Sequence, residues 1–219
     1  MKHDFYFIHG WGFDKNFWKP VKEKLYYDGV SNSSEIIDLN FFLEKKCSKI
    51  KLKNRNSIVV VHSYGLHYFL KKRVKCKVLI NFFGVPNFLS FQNNSNTIKK
   101  KLIKMINQFQ IQPENVLNNF YKKCNVHPEN FERINFHNLN YSLKELLVKD
   151  YVSQFKRQNS WIFSVYCNKD KILDVNKEKI KFLEKQNHFI RFIDGFNHGF
   201  PYNEPELCSK LIKKLIRNI

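Results

Sequence analysis

The sequence predicts an α/β fold: a mostly parallel sheet with helices on both faces and an inserted helical cap at about 91–150, in a single domain spanning 1–219. Three observations predict it. Short β-branched and aromatic runs alternate with helix-patterned stretches from Phe5 to Phe83. The pattern turns helical from Asn93 to about Asp150, and strand-like runs resume at Trp161. A length of 219 residues, 43% of them hydrophobic and 16% aromatic, suits one packed core and excludes a disordered chain.

The first strand is Phe5-Tyr6-Phe7-Ile8, closed by His9-Gly10-Trp11-Gly12, where glycine permits a tight turn. Phe17, Trp18, Val21 and Leu25 fall at helical spacing, so a helix is expected from Asp14 to Tyr27. Ile36 to Leu39 reads as a second strand and Phe41 to Ile50 as a small helix or irregular crossover. Ile58 to Val61 is a buried-type strand, Leu66 to Lys72 a helix, and Val78 to Phe83 a strand ended by Gly84-Val85-Pro86. In the cap, Ile98, Leu102, Met105, Ile106 and Phe109 mark one helix, and Val116, Leu117, Phe120 and Tyr121 another. Strand Trp161 to Tyr166, helix Lys177 to Lys185, strand His188 to Ile193 and a helix from Glu204 to Ile219 follow. The last helix carries Leu207, Leu211, Ile212 and Leu215 toward the sheet, a pattern that a membrane-surface helix would share.

Composition narrows the partners. No apolar run reaches the roughly 20 residues needed to span a bilayer, and the N-terminus enters a strand directly, so a cytoplasmic protein without a membrane partner is expected. Five scattered cysteines without C-x-x-C spacing fit a reducing compartment and no zinc site. The net charge of +19 suits an acidic partner or nucleic acid, but the lysines are dispersed and form no stripe, which argues against nucleic acid. An A+T-rich coding sequence would also enrich Lys, Asn, Ile and Phe together.

The chemistry concentrates at strand ends. Val61-His62-Ser63-Tyr64-Gly65 stands between strand and helix with G-x-S-x-G spacing, valine replacing the first glycine. A serine hydroxyl is a weak nucleophile at neutral pH, so a fold that uses one exposes it on a sharp turn beside a base. Asp170 follows a later strand end, and His198 sits in Gly195-Phe196-Asn197-His198-Gly199. The order Ser63, Asp170, His198 matches a nucleophile, an orienting acid and a general base. Asp174, four residues on, is the alternative acid. His9 and His62 flank the nucleophile, His9 to position the turn and His62 to shape the pocket. The backbone N–H groups of Trp11 and Tyr64 would form the oxyanion hole and contact substrate. Each residue also has a structural reading, Asp170 as a cap for Ile172 onward among them.

Through these residues, with Asn168-Lys169-Asp170, His198-Gly199-Phe200 and Asn203-Glu204-Pro205, the chain resembles the α/β-hydrolase superfamily over nearly its whole length. Within it the sequence is most similar to the pimeloyl-acyl carrier protein methyl ester esterases of biotin synthesis. The resemblance implies a serine carboxylesterase that removes a methyl ester from an acyl chain on acyl carrier protein, with no metal or organic cofactor. It further implies that Phe120, Tyr121, Lys122, Lys123 and Cys124 line an acyl channel. Lys99, Lys100, Lys101, Lys104, Lys122 and Lys123 would face the acidic carrier. The start of the chain close to its first motif predicts a reduced sheet, and the Pro-Gly-x-Gly turn common in these hydrolases is missing after Leu39.

Two other functions fit the same residues. One is a carboxylesterase or thioesterase for small-molecule esters of short acyl groups, which the same triad would serve. The other is a non-catalytic basic binding module on the same fold.

Overall fold

The computed structural model describes residues 2–42, 51–52, 56–127 and 133–217. Six strands form one sheet: β1 (His3–Ile8), β2 (Ser31–Ile37), β3 (Ile58–His62), β4 (Val78–Phe82), β5 (Trp161–Cys167) and β6 (His188–Ile193). All pairs are parallel and the order is β2-β1-β3-β4-β5-β6. The inner strands β3 and β4 are buried along their whole length, which is why they read as unbroken apolar runs.

The order reverses between β1 and β3, since β1 connects outward to β2 and β3 connects the other way to β4. Right-handed crossovers in opposite directions put α1 (Lys19–Tyr27) and α2 (Gly65–Lys72) on opposite faces. They also leave a crevice above the ends of β1 and β3, where open α/β sheets bind ligands. The turn after Ile8 and the serine after His62 both lie at this crevice.

Side chains buried on both faces hold the layers. Phe7 and Trp18 are fully buried with ring centroids 5.4 Å apart, and Val21 and Leu25 of α1 are equally enclosed. Each such apolar side chain contributes roughly 1.5–3 kcal/mol relative to exposure. The C-terminal segment divides into α8 (Phe200–Asn203) and α9 (Pro205–Ile216), because Pro205 starts a new helix. Helix α9 buries Cys208, Ile212 and Ile216, and Lys213 Nζ reaches Asp28 Oδ2 at 2.6 Å just beyond α1. The inward face therefore differs from the expected one, and Leu207 is 42% exposed.

Between β4 and β5 the described residues form α3 (Ser95–Ile111), α4 (Pro113–Cys124), α5 (Phe136–Val148) and α6 (Val152–Lys156). Helix α4 buries Val116, Leu117, Phe120, Tyr121 and Cys124, a stripe at helical spacing that turns Lys122 and Lys123 to solvent. No described helix is long and apolar enough to cross a membrane. Cys76, Cys124, Cys167 and Cys208 are free thiols.

Three elements differ from expectation, and a fourth lies mostly outside the described residues. Strand β2 begins at Ser31, five residues early, because its Ser-Asn-Ser-Ser-Glu half is a polar sheet edge held to β1 by backbone pairing and carries no apolar signature. The helix expected from Asp14 splits into a 3₁₀ turn at Lys15–Phe17 and α1, the turn capped by Asp14 Oδ1 on the Asn16 N–H at 2.8 Å. The helix starting at Lys177, α7, ends at Lys181. Most of the expected Phe41 to Ile50 crossover lies outside the described residues.

Helix α2 lies against β1 at backbone contact: a Cβ on Gly65 would stand 2.8 Å from the carbonyl oxygens of both Ile8 and His9. Neither obstacle can rotate away. Gly65→Ala is expected to destabilise the fold by about 1–3 kcal/mol, measured by urea unfolding; unchanged stability would mean that β1 and α2 can separate.

His67 of α2 is buried, its Nε2 2.9 Å from the Val85 carbonyl, and burial pushes its pKa down to about 4. The unfolded imidazole binds a proton near pH 6.5 and the folded one near 4, so acidification through that window favours unfolding, by about 3 kcal/mol when complete. The melting temperature should fall from pH 6.5 to 4, and His67→Gln should flatten that slope.

Candidate active site

Strand β3 delivers Ser63 into a left-handed backbone conformation, φ +52°, before α2 begins. A non-glycine residue there is strained, as the serine of a strand-to-helix elbow must be. Two backbone bonds hold it: Ser63 N–H donates to the Phe82 carbonyl at 2.8 Å, and the Ser63 carbonyl accepts from Leu66 N–H at 3.0 Å. Val61, at the usual first glycine, is fully buried in register with Ile8 and Asn81. Close approach at the elbow is made by Gly10 instead, where a Cβ would lie 2.6 Å from His62 Nδ1 and 3.0 Å from Ser63 Cβ.

Three strand ends meet at His198. Its Nε2 lies 3.0 Å from Ser63 Oγ and its Nδ1 2.7 Å from Asp170 Oδ2. The carboxylate fixes the tautomer, with Nδ1–H donating to Asp170 and Nε2 open to the serine proton. Asp170 is itself anchored, Oδ1 accepting the N–H groups of Ile172 at 2.7 Å and Leu173 at 3.0 Å. No helix follows, since α7 starts at Lys177, so Asp170 anchors a turn and does not serve as the helix cap. The histidine and aspartate side chains are each 1% exposed, whereas Ser63 is half-buried. Asp174 is turned away, exposed and bonded to Asn93 Nδ2 at 2.8 Å, so it does not meet His198.

The turn after β1 supplies the second wall. His9 fastens it, its Nδ1 3.0 Å from the Gly10 carbonyl and its Nε2 accepting from Leu39 N–H at 3.0 Å. Among the described residues no backbone acceptor takes the N–H of Trp11 or of Tyr64. The two turns that carry these donors pack closely at Ser63, where a Cβ on Gly10 would lie 3.0 Å from Ser63 Cβ.

Phe120 meets Trp11 edge-on at 4.9 Å and stands 6.4 Å from the His198 ring. Tyr121 donates its hydroxyl to the Gly12 carbonyl, and Cys124 is fully buried. These three face the site side of α4. Lys122 and Lys123 are exposed on its other side, so an acyl wall formed by α4 would not include them.

Two residues, Phe83 and Glu145, escaped sequence reasoning, and His62, expected to shape the pocket, has a more definite part. His62 Nε2–H donates to the His198 carbonyl at 2.9 Å, and burial, together with the neighbouring His198, holds its pKa well below the ordinary histidine value. It remains neutral and braces the backbone of His198. Phe83 is also left-handed, φ +58°, its ring centroid 5.6 Å from that of His198, in a turn braced by Asn81 through both its Oδ1 and Nδ2 on Gly84. Nothing in an aromatic residue signals that conformation. Glu145, 3% exposed, accepts from Tyr64 Oη at 2.5 Å and Lys71 Nζ at 2.8 Å. Its signal was present: an acid on the stripe Leu139, Ser142, Leu143, Leu146.

Among the described residues no group of three His, Cys, Asp or Glu side chains could hold a metal ion. No protein-family model and no curated protein matches the sequence. Solved structures do. An esterase from Exiguobacterium antarcticum superposes with a TM-score of 0.79 at 16% identity, over 97% of this chain and 91% of that one. A thermophilic esterase from Thermogutta terrifontis gives 0.72 at 14% identity, over 100% and 90%. A hydrolase from Oleispira antarctica gives 0.71 at 13% identity, over 100% and 92%. With its parallel six-stranded sheet, the chain has the α/β-hydrolase fold.

Proposed function

We propose that the protein is a serine hydrolase of carboxylic esters, working through Ser63, His198 and Asp170. The observation that carries the reading is the unbroken path Ser63 Oγ, His198 Nε2, His198 Nδ1, Asp170 Oδ2, with contacts of 3.0 and 2.7 Å beneath a strained elbow. Ser63 Oγ attacks the acyl carbon as its proton passes to His198 Nε2. The imidazolium, steadied by Asp170, then protonates the departing alkoxide. Water, deprotonated by the same nitrogen, cleaves the acyl-enzyme and regenerates the serine. The N–H groups of Trp11 and Tyr64 stabilise the oxyanion at both stages. The esterase names of two superposing structures support the reaction class.

For the substrate we propose the methyl ester of pimeloyl-acyl carrier protein, in line with the motif resemblance. Lys99, Lys100, Lys101 and Lys104 on α3, with Lys122 and Lys123 on α4, are exposed and would meet an acidic carrier. One observation favours short free esters as a second reading. The Phe120 ring comes within 3.2 Å of where a Gly12 Cβ would lie, closing the space beside the turn.

Turnover of p-nitrophenyl acetate and of the carrier-bound methyl ester tests both. Ser63→Ala should lower kcat by at least about 10³-fold on either substrate. Undiminished turnover in the variant, or failure of wild type on both esters with no labelling of Ser63 by a fluorophosphonate, overturns catalysis. Cleavage of the small ester alone selects the second reading. Phe120→Ala should raise kcat/KM for the octanoate over the acetate by about tenfold; an unchanged ratio would remove Phe120 from the acyl wall.

A further inference from the structure

The two free backbone donors belong to residues whose side chains both end on α5. Tyr64 Oη donates to Glu145 Oε2 at 2.5 Å, and Trp11 Nε1–H donates to the Leu139 carbonyl at 3.0 Å. Glu145 is held in turn from the nucleophile's own helix, Lys71 Nζ of α2 lying 2.8 Å from its Oε1. Tyr141 adds a contact to the same oxygen at 3.3 Å, and Lys71 Nζ sits 4.7 Å from the Tyr141 ring centroid. Ser142 Oγ bonds the Leu139 carbonyl at 2.9 Å, fixing the acceptor that Trp11 uses.

A buried carboxylate is a costly way to dock a helix, since well-packed apolar side chains would dock it equally well. What the carboxylate adds is direction. A short charge-assisted bond to the far end of Tyr64 restrains rotation about its Cα–Cβ bond. With its far end tied to α5, Tyr64 can shift its Cα less, and so can the backbone at Ser63 and Tyr64 that carries the N–H donor. Trp11 is tied to the same helix by a neutral bond to the Leu139 carbonyl.

We infer that α5 aims both oxyanion donors, with Glu145 as the positioning residue. The inference rests on the triad reading above. Glu145 never touches substrate; it acts through Tyr64, and misaimed donors weaken binding of the oxyanion while leaving ground-state binding intact.

The test is p-nitrophenyl acetate hydrolysis by Tyr64→Phe, Trp11→Phe and Glu145→Gln, with inhibition by an acetyl-like trifluoromethyl ketone whose serine adduct carries the oxyanion. Each variant should lower kcat about tenfold with KM within about twofold, and weaken the ketone by the same factor. Tyr64→Phe combined with Glu145→Gln should lose no more than the worse single variant, because the two act as one unit. Wild-type kcat in Tyr64→Phe and Glu145→Gln, a change confined to KM, or additive losses would overturn the inference. Should Glu145→Gln not fold, Tyr64→Phe, which keeps the ring and removes only the hydroxyl, decides alone. Ser63→Ala run beside them separates the two failures: wild-type turnover there removes the triad reading, whereas its loss with Tyr64→Phe unaffected removes only the role of α5.

Discussion

The two ring bonds of His198 are the constraint on which the architecture turns. One side chain must reach a serine after β3 and an aspartate after β5 while standing itself on the loop after β6. Parallel strands make this possible, since every strand then ends at the same edge of the sheet and the loops there share one space. The reversal of strand order between β1 and β3 opens that space where the glycine turn and the elbow lie side by side.

Strain and burial are concentrated at the same edge. Ser63 and Phe83 are both left-handed, each at roughly 1–3 kcal/mol of backbone cost, and both adjoin the histidine. Surrounding bonds offset it: Ser63 N–H to Phe82, Phe83 N–H to the Val165 carbonyl, and Asn81 on both polar atoms of Gly84. The neutral His62 completes the frame by bonding the backbone of His198. In the proposed reaction, a serine and histidine held this rigidly would need little reorganisation as charge develops.

Much of this was legible in the residues. Apolar runs marked β1, β3, β4 and β5 because strands covered on both faces need apolar side chains throughout. The elbow spacing and the order of Ser63, Asp170 and His198 singled out three side chains that lie in hydrogen-bond contact. What escaped has physical reasons. The first half of β2 is polar because an edge strand is held by backbone pairing. Glu145 falls on the apolar stripe of α5, but its partners Tyr64 and Lys71 are distant in sequence and meet it only on folding. The outward direction of Lys122 and Lys123 was readable from the i, i+4 stripe of α4 and conflicted with the channel that resemblance assigned them.

The end of α4 is tied into the loop that carries the base. The Cys124 carbonyl accepts from Gly199 N–H at 3.2 Å, and the Asn125 carbonyl accepts from Asn203 Nδ2 at 2.9 Å. A Cβ on Gly199 would meet the Cys124 carbonyl at 2.5 Å. The helices between β4 and β5 are therefore not an interchangeable module. A chimera that grafts in the corresponding segment of another protein of this fold must bring that protein's counterpart of the Gly199 to Asn203 loop with it, or His198 loses its seat.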